Sequence, residues 1–181
     1  MKLKSLIIVL ILLVFLGAST PAFAADVAVG TASLVVHQAV ADTRIALLRA
    51  YLSSQNSPFV DEANHFIEEA DRLSLDWRLV AAISGVESTF GKQIPTGSYN
   101  AWGWGIPTGA QWGIAFADWK SGITTVSEGL KYNYIDRGAI TIDQMGRIYA
   151  ASPAWPWKVR YFIDQITEFA PNSPALLSVT I

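Results

Sequence analysis

Between Leu75 and Gly105 the chain passes from an apolar, helix-periodic run straight into a loop of glycine and aromatic residues, and one carboxylate, Glu87, stands at the junction. Leu79, Val80, Ile83 and Val86 fall on one helix face with Glu87 at its end, and Asp76 is placed to accept orphan N–H groups of the first turn. A carboxylate at the end of a buried stripe loses part of its hydration. That disfavours the charged form and raises its pKa, as a general acid working near neutral pH requires. A plainer reading stays open, because Glu is almost never fully buried unless paired and Glu87 can simply point into water off the helix end.

The remaining periodicities predict a mainly α chain of about six helices. A helical pattern from Leu34 to Leu52 carries Ile45, Leu48 and Leu52 on a stripe, with Arg44 and Arg49 toward water; it either docks on the domain or stands off as a spacer. Ser57-Pro58 opens a helix over 58–73, with Ala63, Phe66, Ile67, Ala70 and Leu73 inward and Glu68, Glu69 and Arg72 on a solvated face. His65 fits that polar side. Asp118 caps a helix to about Tyr134, ended by Asp136-Arg137-Gly138, and Thr141-Ile142-Asp143-Gln144 matches a capping box opening a short helix to Tyr149. Pro153 and Pro156 break the chain before a last helix, 157–169.

The connection from Gly91 to about Ala117 is too long to be a simple linker. Tyr99, Trp102, Trp104, Trp112 and Phe116 stand in it among glycines 97, 103, 105, 109 and 113, and Trp102-Gly103-Trp104 alternates in a way that suits a short β-hairpin. Exposed aromatic rings suit the flat C–H faces of sugars. The same tryptophans serve equally well as core filler.

Three segments in order, Glu87-Ser88-Thr89-Phe90-Gly91-Lys92, then Ser98-Tyr99-Asn100-Ala101-Trp102-Gly103-Trp104-Gly105, then Tyr149-Ala150-Ala151-Ser152-Pro153 with Lys158-Val159, resemble the lysozyme-like superfamily of peptidoglycan-cleaving enzymes. The resemblance is nearest to the endo-β-N-acetylglucosaminidase-like branch, glycoside hydrolase family 73, with lytic transglycosylases as relatives, and covers roughly residues 59–170. It implies a lysozyme-like fold in which Glu87 is the catalytic acid and Tyr149 an active-site tyrosine near the reacting sugar. It also implies a substrate-binding segment comprising Ser88, Tyr99, Asn100, Trp102, Gly103 and Trp104. Taken without it, Tyr149 before a proline turn reads as a packed core tyrosine.

Met1-Lys2-Leu3-Lys4, the apolar run Leu6 to Leu16 and Ala22-Phe23-Ala24 form a secretory signal peptide, with an uncleaved N-terminal anchor as the alternative. Removing residues 1–24 of the 181 leaves 157, enough for one domain. The organisation expected is a signal peptide at 1–24, an N-terminal helical segment at 25–56, a lysozyme-like glycosidase domain at 57–170 and a tail at 171–181. Taking Lys2 and Lys4 from the 13 basic residues leaves 11 against 15 acidic, which is no nucleic-acid footprint. There is no cysteine, and His37 and His65 stand apart, so neither a metal nor a cofactor is expected. The expected partner is the glycan strand of peptidoglycan, met by an exported monomer in the periplasm or cell wall.

Glycosidases normally use two carboxylates. Here the stretch 91–117 holds no acidic residue, and Asp118 and Glu128 are the next candidates downstream, one explained as a helix cap and the other as a surface residue. A single-acid route is chemically coherent, and ends either in hydrolysis by a glucosaminidase or in a lytic transglycosylase reaction. A wall-binding protein that has kept the cleft and lost the reaction is the alternative of a different class.

Overall fold

The computed structural model describes residues 43–106 and 113–169. The signal segment, the first part of the N-terminal helix, Trp112 and the tail lie outside them. Helix α1 spans 43–54, and after a 3₁₀ turn at Val60–Glu62 come α2 (Ala63–Leu73), α3 (Leu79–Ser88), α4 (Trp119–Gly129), α5 (Ile142–Tyr149) and α6 (Trp155–Glu168). The expectation of a mainly helical chain holds. No strand occurs among the described residues, so the hairpin expected around Trp102-Gly103-Trp104 is absent there.

The fold is built around α3. Every residue from Leu79 to Gly85 is buried, which places this helix inside the core on all sides rather than striped along one face. Asp76 acts one step early: its Oδ1 accepts from the Arg78 N–H, and its backbone carbonyl from that of Leu79. At the other end Thr89, Phe90 and Gly91 all take positive φ. This left-handed run folds the Phe90 ring back onto Gly85, where an added Cβ would come within 2.6 Å of it.

Helix α1 docks on this core through Leu48, Tyr51 and Leu52, all buried, and Tyr51 meets Phe90 and Phe169 edge-on. Arg44 does not face water freely but forms a two-pronged ion pair with Asp71 of α2, both contacts at 2.8 Å. The apolar face expected of α2 is the face it buries. Glu69 corrects the expectation of a solvated opposite face, for it is buried and held by Arg72, which also reaches Glu128 of α4. Ser57 is not the cap of a helix at 58; its hydroxyl donates to the Phe90 carbonyl, and the α-helix starts at Ala63.

Asp118 caps α4 as expected, its Oδ1 accepting from the Ser121 N–H at 2.7 Å. The helix widens into a π turn over Leu130–Tyr134, tightens into a 3₁₀ turn at Ile135–Arg137 and stops at Gly138, whose φ of 93° suits glycine. The Thr141–Gln144 capping box forms in full. Pro156 is a correction: it sits in the first turn of α6, where a missing N–H costs nothing, so the helix begins at Trp155. No helix among the described residues is long and apolar enough to cross a membrane.

Two glycines seven residues apart on α4 set the loop in place. A Cβ at Gly122 would come 2.7 Å from the Trp102 ring, and one at Gly129 would come 2.1 Å from that of Trp104. The loop tryptophans therefore approach α4 at the two positions where it has no side chain. Gly129→Ala is expected to lower stability by about 1–3 kcal/mol through overpacking, seen as a lower urea midpoint at an unchanged m-value.

Candidate functional site

Glu87 stands in the last turn of α3, and its Oε1 accepts a hydrogen bond of 2.6 Å from the indole N–H of Trp155, in the first turn of α6. In front of it lies a cleft of about 450 Å³, a size typical of small-ligand sites, with Gln93, Thr96, Ser98 and Asn100 along its polar side. Glu87 is open to the cleft by area, yet loss of hydration is the largest effect on its carboxyl and pushes the pKa up. The Trp155 hydrogen bond and the positive charge of Lys158 pull the other way. Glu87 opens into a concavity rather than onto an open surface, with the Trp155 ring beside it, so exposure and desolvation coexist.

Tyr149 faces a second hollow, shared with Trp104, Asn133, Tyr134 and Ile148, which meets the first at Gly103 and Ile106. Its hydroxyl donates to the Trp102 carbonyl at 2.7 Å, and its ring stacks on Trp155 with centroids 4.8 Å apart. Burial raises its pKa well above the usual tyrosine value, and the charges of Glu87 and Tyr134 add to this. The phenol is thus a fixed donor. Glu87 and Tyr149 belong to adjoining hollows, joined through Trp155.

The other residues expected to bind substrate divide by role. Gly103, with φ of 60°, carries the loop backbone past Glu87; an added Cβ would lie 3.5 Å from Oε2. Trp104 is half-buried and lines the aromatic hollow. Asn100 touches the cleft but is a hub of the loop: its amide donates to the carbonyls of Trp104 and Ile114 at 2.9 and 2.8 Å, and its Oδ1 accepts from the Trp104 N–H at 2.9 Å. Ser88, also at the cleft wall, donates to the Ala101 carbonyl and accepts from the Gly91 N–H, tying the helix end to the loop.

Trp102 and Tyr99 line neither hollow. Trp102 is 0% exposed, its N–H spent on the Val80 carbonyl at 2.9 Å, so it offers no face to a ligand and gives the site only its own carbonyl. Tyr99, between the cleft residues Ser98 and Asn100, packs edge-on against Trp119. Trp155 does not stand out in the sequence because Pro156 reads as a helix breaker; a proline in the first helical turn is the signal it offers. Lys158 stood in the recognised pattern without a role.

Neither downstream carboxylate joins Glu87. Asp118 is committed to Ser121, which holds its carboxyl below the usual range, and Glu128 pairs with Arg72 at 2.9 Å. Among the described lining residues of both hollows Glu87 is the one acidic group. No model of a known protein family matches the chain, and no curated protein matches it significantly.

Proposed function

We propose that this protein cleaves the glycan strands of peptidoglycan with Glu87 as general acid, in the manner of an endo-β-N-acetylglucosaminidase of lysozyme-like fold. The observation that carries the reading is a lone carboxyl, desolvated and hydrogen-bonded, facing a cleft with a polar and an aromatic side. Glu87 gives its proton to the glycosidic oxygen as the C1–O bond breaks, and the bonding electrons leave with that oxygen. The substrate's N-acetyl group stabilises the cation at C1. Glu87, now a carboxylate, takes a proton from water as its oxygen bonds to C1, which restores the acid.

The absence of a second carboxylate among the described lining residues also favours a lytic transglycosylase, in which the 6-hydroxyl of N-acetylmuramic acid replaces water and again one group suffices. The leader-like start of the chain supports export to the compartment where such strands lie. Mass spectrometry of fragments released from purified peptidoglycan separates the readings. Reducing N-acetylglucosamine ends are expected, and anhydro-muramic ends would move the protein to the transglycosylases. Binding of glycan with no cleavage would leave a wall-binding protein.

A further inference from the structure

We infer that Trp155 fixes which oxygen of Glu87 carries the acid's proton, reserving Oε1 as acceptor and leaving the proton to Oε2. An indole N–H donates and has nothing to accept with. It meets Oε1 at 2.6 Å, so a proton on that same oxygen would turn a good acceptor into a poor one and crowd the indole hydrogen. Oε2 is the free position. It lies at Gly103, one of the two residues where the hollows meet, and has no hydrogen-bond partner among the described residues. The proton is thereby presented at the point where a chain running across both hollows would pass.

Trp155 has no room to turn away from this task. It is 3% exposed, with Tyr149 stacked on one side at an interplanar angle of 23° and α5 close at Gly146, where an added Cβ would come 3.1 Å from the ring. Tyr149 is in turn tied to the Trp102 carbonyl. A line of rigid groups, Trp102 carbonyl, Tyr149, Trp155 and Glu87, thus runs from the buried loop anchor to the acid. The charged or titratable groups acting on Glu87 are Lys158 from α6 and Tyr149 from α5, and the loop contributes none at Gly103. Once Oε2 has given up its proton, the N–H bond to Oε1 becomes charge-assisted and stronger, and the returning proton finds Oε2 again.

Trp155 acts through Glu87 and is a positioning residue. Its use in turnover rests on the glycosidase reading; the placement of the proton is a property of the free protein. The test therefore begins without substrate, with ¹³C-glutamate labelling and NMR titration, the Glu87 signal identified by its loss in Glu87→Gln. Trp155→Phe removes the donor, and 3-benzothienylalanine at position 155 removes it while keeping the ring's shape and hence the fold. Both changes take away a hydrogen bond that favours the ionised form, so the Glu87 midpoint is expected to move up in each. In the digestion assay kcat is expected to fall about tenfold, with KM little changed and the alkaline limb displaced to higher pH. A midpoint that stays or drops in both variants would overturn the inference. A midpoint that rises in a protein that digests no glycan would leave the proton placement standing and remove the glycosidase reading.

Discussion

Glu87→Gln is expected to lower release of fragments from purified glycan strands by about 10²–10⁴-fold, the usual contribution of a general acid, while leaving the fold intact. Glutamine keeps the size of the side chain and an oxygen to accept from Trp155, but has no proton to give. The same substitution carries a stability signature. The folded-state pKa of Glu87 is raised, first by desolvation, so when pH rises through the ordinary carboxylate range the unfolded chain ionises before the folded one. Stability from this group is therefore present at low pH and is lost as pH climbs toward the folded value. Gln escapes that loss. Thermal melts are expected to show Glu87→Gln level with or above the wild type at pH 7, the difference closing as pH is lowered. A variant melting well below the wild type at pH 7 would show that the carboxylate supports the fold, contrary to a group held there for chemistry.

The features legible in the sequence are those settled within a few residues. The Asp118 cap and the Thr141–Gln144 box depend on a side chain meeting a backbone N–H three positions on, and both form. The inward face of α2 likewise follows from helical spacing. Helical spacing does not show what approaches from elsewhere in the chain. Glu69 falls with Glu68 and Arg72 on the face opposite the apolar stripe, yet Arg72 reaches Glu128 on α4 and Glu69 is buried beneath it.

The site divides along the same line. Glu87 was visible as a carboxylate at the end of an apolar helix, whereas its partner lies 68 residues away in sequence and becomes a helix residue only if Pro156 is read as a beginning. The loop aromatics were not separable by composition. Trp102 and Trp104 both rest against glycines of α4, and it is the cover of Phe59 and Phe66, supplied from another part of the chain, and of Phe116 that encloses Trp102 while Trp104 stays half-buried.

Trp102→Ala is expected to cost about 3–5 kcal/mol, the range for deleting a large core side chain. The ring lies against Phe59, Phe66 and Phe116, with Phe59 nearly parallel at 6.2 Å, and its loss also leaves the Val80 carbonyl without its indole donor. A penalty of that size is a large part of the stability of an ordinary domain. The measurement is a urea melt beside a rate at saturating glycan. A tryptophan that stacked on sugar would show the opposite pattern, an unchanged melt and a raised KM. Here the midpoint is expected to fall steeply, with KM in the remaining folded fraction little changed. Trp102→Phe keeps an aromatic ring and gives up the N–H, so it is expected to cost less, about 1–3 kcal/mol for the smaller ring and the lost hydrogen bond. Because the Trp102 carbonyl holds Tyr149, and Tyr149 packs on the ring that holds Glu87, the Ala variant is expected to weaken the Glu87 site and the core in one transition, with the cleft surviving only as long as the core does.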